Sequence, residues 1–119
     1  MLSDAKHPEL KIGLVGPCAA GKSTITSLLR ARGLTIKPIA QEHSYVQQMW
    51  QIISKPDVLI FLQVTYENTI LRRKLNWSRE EYNEQLRRLE HAYQHANLVI
   101  DTNELTPDQV VDIILAFLH

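Results

Sequence analysis

The residues with the clearest chemical meaning lie near the start of the chain, in the run Gly16-Pro17-Cys18-Ala19-Ala20-Gly21-Lys22-Ser23-Thr24. This run fits G-x-x-x-x-G-K-[ST], a glycine-flanked loop whose backbone N–H groups surround a phosphate before the chain enters a helix. In such a loop Lys22 reaches the β- and γ-phosphates and the Ser23 hydroxyl coordinates Mg²⁺. We expect Thr24 to contact the α-phosphate. The run predicts that the chain binds a nucleoside triphosphate.

The segments on either side of this loop are those that a phosphate-binding loop needs. Leu10–Val15 is a short apolar run typical of a strand. After the loop, Ile25, Leu28 and Leu29 recur at helical spacing until Gly33 ends the helix. The alternative is a glycine-rich turn that contains a lysine by chance. The order of strand, loop and helix favours phosphate binding.

Three more strands are predicted along the chain. Leu34–Ala40 alternates in polarity, and Pro38 restricts it to an edge or an irregular end of a sheet. Asp57–Val64 is nearly all apolar, as a strand covered by helices on both faces requires, so we expect it to be central. Asn97–Asp101 is a fourth, short strand.

Four more helices are predicted between and after these strands. The first begins at Ser44, with Gln47 in a capping box, and ends at Lys55-Pro56. Its expected inward residues are Val46, Met49, Trp50 and Ile53. The second runs from about Tyr66 to Leu75, with Ile70 and Leu71 inward. Capping boxes open the last two helices, Ser78 with Glu81 and Thr106 with Gln109, and Pro107 takes the first position of the terminal helix.

Alternating strands and helices predict a three-layer α/β/α fold around a short parallel sheet of about four strands. Ligands of such sheets bind beyond the carboxyl ends of the strands. Four segments should therefore share one rim: the phosphate loop, Gln41–His43, Thr65–Glu67 and Asp101–Asn103. Asp57 starts its strand at the opposite end, so we do not expect it to reach a ligand.

Composition narrows the classes of protein to which the chain can belong. At 119 residues it is expected to be one domain, 1–119, with a flexible N-terminal segment 1–9. The formal net charge is zero, which gives no general attraction to nucleic acid or to an anionic membrane. There is one cysteine, so no intrachain disulfide can form, and no stretch resembles a signal peptide or a membrane span. These features predict a cytoplasmic protein.

Three segments together resemble the P-loop small-molecule kinases, which include nucleoside monophosphate, shikimate, gluconate and adenylylsulfate kinases. They are Gly16–Thr24, Pro56–Val64 leading into Tyr66–Arg73, and Val99–Thr102 followed by Leu105-Thr106-Pro107 and a terminal helix. The resemblance implies a kinase-like P-loop fold, ATP with Mg²⁺, and transfer of the γ-phosphoryl group to a small acceptor.

The same resemblance implies where the base binds. An arginine on the helix after the PDVLIFL-like strand commonly packs on the adenine, and Arg72 is similarly placed here. Guanidinium planes stack well on flat rings, although Arg72 and Arg73 could equally solvate a helix surface. Asp101 and Thr102, after the last strand, correspond to residues beside the base.

The chain is shorter than these kinases, and no separate acceptor-binding module or arginine-rich lid is evident. Glu42, with His43, could supply a second carboxylate that holds Mg²⁺ through water or accepts the acceptor's proton, or could simply belong to a polar loop. Arg79, Arg87 and Arg88 could form a reduced lid or a solvated helix face. The pair His91 and His95 is expected to lie on the surface, and Cys18 to fill space within the loop.

Two functions follow from these residues. The first is a Mg²⁺-dependent kinase with Lys22 and Glu42 in catalytic roles and Ser23 and Glu42 at the metal. The second is a non-catalytic or weakly hydrolysing nucleotide-binding or sensing module, acting as a homodimer or through a partner. A regulatory GTPase is disfavoured because the sequence has no Asn-Lys-x-Asp run to read guanine.

Overall fold

Four short strands form an all-parallel sheet in this computed structural model, which describes residues 10–74 and 76–119. The strands are β1 (Lys11–Val15), β2 (Thr35–Pro38), β3 (Val58–Gln63) and β4 (Leu98–Asp101). Their order is β2-β1-β3-β4. The α/β class and the parallel sheet are as predicted, with β3 internal and β2, which ends at Pro38, at an edge. The expected flexible segment 1–9 lies outside the described residues.

The helices lie on both faces of this sheet. They are α1 (Lys22–Arg30), α2 (Tyr66–Arg73), α3 (Arg79–His95) and α4 (Pro107–Leu118). None of the helices within the described residues combines the length and the apolar composition needed to cross a bilayer.

Side chains alternate between two separate apolar cores because successive residues of a strand point to opposite faces. One core joins Ile12, Leu14, Ile60, Leu62 and Ile100 of the strands to residues of α1 and α4, namely Ile25, Leu29, Val110, Val111 and Ile114. The other core joins Val15, Leu59 and Phe61 to Trp50 and to Leu89 and Ala92 of α3. This two-sided burial is compatible with the three-layer arrangement that the sequence predicts.

Both late capping boxes form as predicted. The Ser78 hydroxyl accepts from the Glu81 N–H at 3.1 Å, while the Glu81 carboxylate accepts from the Ser78 N–H at 2.9 Å. Thr106 and Gln109 make the same reciprocal pair at the start of α4, with Pro107 as its first residue. These pairs satisfy N–H groups that the first helical turn leaves without partners.

The prediction of a helix that begins at Ser44 is wrong. Residues Gln41–His43 form a 3₁₀ turn, and a short π-helical turn follows at Trp50–Ser54. The buried Gln41 side chain explains the difference, because it donates to the Val46 carbonyl at 2.8 Å and accepts from the Trp50 N–H at 2.9 Å. These bonds hold a loop where a continuous helix would need its own backbone bonds.

The predicted capping box and two of the predicted inward residues also differ from the structure. Gln47 makes no capping box, because its amide donates to the Arg87 carbonyl at 2.7 Å and accepts from the His91 N–H at 3.1 Å. Val46 and Ile53, expected to point inward, are 54% and 69% exposed. Trp50 is buried, as predicted.

Helix α2 is shorter than predicted and uses a different inward face. Its described part ends at Arg73, and Leu75, the predicted end, lies outside the described residues. Leu71 is 75% exposed, so its inward placement was wrong, whereas Thr69 is fully buried. Thr69 accepts a hydrogen bond from the Trp77 indole at 3.0 Å. This bond explains why a polar residue can be buried at this position.

Candidate functional site

The loop Gly16–Gly21 joins the carboxyl end of β1 to the start of α1, and both glycines are required by its shape. A Cβ at Gly16 would lie 2.3 Å from the Leu62 carbonyl oxygen of β3. Gly21 is the residue before α1 and has a left-handed backbone with φ of 102°. Gly21 has no side chain that could cap α1. Among the described residues, the first N–H groups of α1 therefore remain available to a ligand.

Lys22, the first residue of α1, folds back across the loop instead of extending into solvent. Its ammonium donates to the Gly16 carbonyl and, at 2.8 Å, to Glu42 Oε2. The Lys22 and Glu42 side chains are only 14% and 6% exposed. A positive charge is thus held beside the backbone amides of the loop, in surroundings that strengthen its interactions with anions.

Glu42 reaches this loop because only two residues separate the 3₁₀ turn Gln41–His43 from the β2 edge strand, which ends at Pro38. Its Oε2 atom bonds Lys22 and lies 3.7 Å from Nε2 of His43. Its other oxygen, Oε1, is buried and has no hydrogen-bond partner among the described residues. The expectation that a carboxylate from this segment would lie beside the loop agrees with the structure.

Gln85 of α3 also contacts the loop, which the sequence did not predict. Its Oε1 accepts from the Cys18 N–H at 2.9 Å, and its Nε2 donates to Cys18 Sγ at 3.1 Å. Gln85 is 7% exposed and lies on the same helix face as buried Tyr82 and Leu89. The position of a polar amide on the apolar face of the predicted helix could have indicated that Gln85 is buried and hydrogen-bonded. The sequence does not indicate that its partner is Cys18.

Arg72 connects the loop to the end of β4. Its guanidinium donates to the Ala19 carbonyl at 3.2 Å and to the Thr102 hydroxyl at 3.0 Å, and also to the Thr102 carbonyl. Thr102 is 2% exposed, and its hydroxyl donates to the Gln63 carbonyl at 2.8 Å. These bonds hold the edge of the guanidinium and fix its plane at one side of the loop.

A cavity of about 310 Å³ opens beside this guanidinium. Most of its wall is apolar, and the residues that line it come from the loop, α1, α2, the segment after β4 and the start of α4: Ala19, Ala20, Gly21, Thr24, Ile25, Arg72, Arg73, Thr102, Leu105, Pro107 and Val110. Asp101 is not among them, because its carboxylate accepts from the Asn103 N–H in the turn after β4. Of the predicted base-side residues, Arg72 and Thr102 therefore meet at this cavity.

The three arginines of α3 occupy different surroundings. Arg79 pairs with Glu67 and lies over the Tyr66 ring, and Arg87 pairs with Glu84. The hydrogen bond from Arg87 is the main cause that lowers the pKa of Glu84. Arg88 alone of the three contacts the candidate site, since it donates to the Glu42 carbonyl at 3.3 Å.

The remaining polar candidates lie away from the loop. Asp57 accepts from the Lys11 N–H at 2.8 Å at the amino ends of the strands, opposite the loop, as expected. The rings of His91 and His95 stack with centroids 4.1 Å apart, and His91 Nδ1 accepts from the Trp50 indole at 3.1 Å. These contacts give the histidine pair a packing role.

No protein-family model matches the chain, and a comparison with curated proteins found no match.

Proposed function

We propose that this protein binds ATP with Mg²⁺ at Gly16–Thr24 and transfers the γ-phosphoryl group to a small acceptor. The observation that carries the proposal is the position of Lys22, whose ammonium is folded back over a glycine-flanked loop and paired with buried Glu42. Buried ion pairs contribute little net stability, because desolvation offsets their attraction. A phosphate-binding role accounts for a buried ion pair at this position.

The cavity beside Arg72 suits the base of the nucleotide. Its apolar wall matches the faces of a purine, and the hydrogen bonds of Arg72 leave the flat side of the guanidinium available for stacking. Thr24 lines the same cavity, between the phosphate loop and the proposed base position. Phosphates on the loop and a base in the cavity would lie on one continuous surface.

Glu42 and Ser23 are the residues proposed to hold Mg²⁺, whose preferred ligands are oxygens. The unpartnered, buried Oε1 of Glu42 fits this assignment, because leaving such an atom without a partner costs about 1–3 kcal/mol. When bound, Mg²⁺ neutralises charge on the phosphates. Lys22 would contribute a second positive charge. The alternative role proposed for Glu42 is to accept a proton from the acceptor.

The acceptor is proposed to enter through the groove between His43 and α3. This groove has a volume of about 780 Å³ and polar walls that include His43, Glu84, Gln85 and Arg88. Gln85 contacts the loop at Cys18 and Arg88 contacts Glu42, so the groove adjoins the loop on the side away from the base cavity. A small, polar acceptor fits these walls.

The direct test of transfer measures nucleotide binding and consumption together. Titrations of ATP, GTP and ADP with Mg²⁺ are followed by assays of ATP consumption with nucleosides, sugars and small acids as acceptors. The proposal predicts that ATP binds and that one acceptor class accelerates its consumption. Binding without consumption under every acceptor would favour the sensing module, and no binding of any nucleotide would exclude both functions.

The role of Glu42 is tested by Glu42→Gln, which keeps the shape of the side chain and removes its charge. We expect the affinity for ATP to stay within about threefold and turnover to fall at least about a hundredfold, the usual scale for loss of a general base. Glu90→Gln, at an exposed position of α3 outside the acceptor groove, is the matched control. Equal turnover in Glu42→Gln and the wild-type protein would contradict the assignment.

A further inference from the structure

Three side chains with different ligand atoms meet at the side of the loop that faces α3. The Cys18 sulfur, a Glu42 carboxylate oxygen and a His43 ring nitrogen all lie within 4.8 Å of one another. Among residues 10–74 and 76–119 this is the one such group of three metal-ligating side chains. The group unites the loop after β1 with the turn after β2, which the parallel pairing of these strands brings together.

The surrounding residues hold two of these ligands in place. Gln85 donates to Cys18 Sγ and so orients the thiol, while Lys22 binds Glu42 Oε2. Glu42 Oε2 lies 3.7 Å from His43 Nε2, while the other oxygen of this carboxylate, Oε1, is buried and has no hydrogen-bond partner among the described residues. Oriented ligands with supporting hydrogen bonds are characteristic of metal centres.

We propose that Cys18, Glu42 and His43 form a binding site for a thiophilic divalent cation, with Zn²⁺ as the best match. Sulfur, nitrogen and oxygen ligands together suit Zn²⁺, whereas Mg²⁺ takes oxygen ligands. Zn²⁺ bond lengths place tetrahedral ligand atoms about 3.3–3.8 Å apart, so the three groups need to approach by about 1 Å. The fourth position is left to water, and the thiol proton is released to solvent on binding.

This site does not depend on nucleotide binding, but it would affect it. A cation on Glu42 would repel the Lys22 ammonium, which this carboxylate holds at 2.8 Å, and so disturb the phosphate loop. It also occupies the carboxylate that the proposed phosphoryl transfer needs. We therefore expect Zn²⁺ to inhibit any ATP turnover, and ATP with Mg²⁺ to weaken Zn²⁺ binding by the same coupling.

Titration with Co²⁺, a spectroscopic substitute for Zn²⁺, tests the site without any activity assay. The wild-type protein is expected to show a near-ultraviolet thiolate-to-cobalt band that saturates at one ion per chain and is displaced by Zn²⁺. Cys18→Ser should abolish the band. His43→Gln should weaken Co²⁺ binding at least about tenfold, and because His43 is exposed this variant is expected to fold normally.

His95→Gln is the matched control, since it removes an exposed histidine of the other histidine cluster and should leave the titration unchanged. Absence of a thiolate band in the folded wild-type protein would overturn the proposal. A band that keeps its affinity in His43→Gln, or that His95→Gln weakens instead, would overturn it as well.

Discussion

Single residues decide whether the loop can adopt its shape, and Gly16 is the most constrained of them. The carbonyl of Leu62 in β3 occupies the place that a side chain at Gly16 would take, at 2.3 Å from the expected Cβ. Gly33 offers a contrast, because its φ is +85° but no atom lies within 4 Å of a Cβ there. A side chain at Gly16, where φ is +156°, would therefore add a clash to backbone strain, whereas one at Gly33 would meet strain alone.

Gly33→Ala is expected to lower the free energy of unfolding by about 1 kcal/mol through strain alone. Gly16→Ala should cost at least about 1 kcal/mol more, since β3 must shift to admit the methyl group. Urea denaturation of both variants measures the difference. Equal losses would show that the loop lies farther from β3 than the structure places it.

Tyr82 links the stability of the fold to alkaline pH. Its hydroxyl donates to the Val64 carbonyl at 2.6 Å, and burial is the main cause that raises its pKa above 10.0, opposed by Arg79 and reinforced by Glu67. The pKa of Tyr82 is thus higher in the folded protein than in the unfolded chain. Its contribution to folding stability is complete below the pKa of the unfolded chain and is lost as pH rises through the pKa of the folded protein.

Tyr82→Phe is therefore expected to lower the free energy of unfolding by about 1 kcal/mol at neutral pH, through loss of this hydrogen bond. The variant should also lose less stability than the wild-type protein between neutral pH and pH values above 10. Denaturation curves across this range, with exposed Tyr45→Phe as control, measure both effects. If Tyr82→Phe loses as much stability at alkaline pH as the wild-type protein, the loss comes from other groups and the prediction is wrong.

At the scale of elements, local sequence patterns predicted the strands and helices whose hydrogen bonds are made within the element or by residues next to it. The strands follow from apolar runs, and both late helices begin at their capping boxes. The segment after β2 could not be predicted because Gln41 and Gln47 bond to residues far along the chain, including Arg88 and His91. The Cys18–Gln85 contact could not be predicted for the same reason, since the two residues are 67 positions apart.

The capping box of α3 gives an element-scale prediction. Ser78→Ala removes the oxygen that accepts from the Glu81 N–H and should lower the free energy of unfolding by about 1 kcal/mol. Ser27→Ala, at an exposed position inside α1, should change stability by less than about 0.5 kcal/mol. Thermal or urea unfolding compares the two. A loss in Ser27→Ala as large as that in Ser78→Ala would contradict a capping contribution.

At the scale of the whole molecule, parallel strand order brings the candidate residues together. Because β1 lies between β2 and β3, the loop after β1 lies beside Glu42 from one neighbouring strand and the Leu62 carbonyl from the other. The rim was predictable from strand order along the chain, since parallel strands end at one edge. Which side chains meet there, such as Arg72 with Thr102, depends on packing distances that no local pattern contains.

The central claim is that the loop binds a nucleoside triphosphate through Lys22, and calorimetric titration with ATP and Mg²⁺ tests it most directly. Lys22→Met removes the ammonium, and Lys37→Met, on the exposed part of β2, is the matched control. We predict a single site in the wild-type protein and in Lys37→Met, and an affinity at least about tenfold weaker in folded Lys22→Met, the scale of one charge-assisted contact. Equal affinity in Lys22→Met, or no ATP binding by the wild-type protein, would contradict the claim.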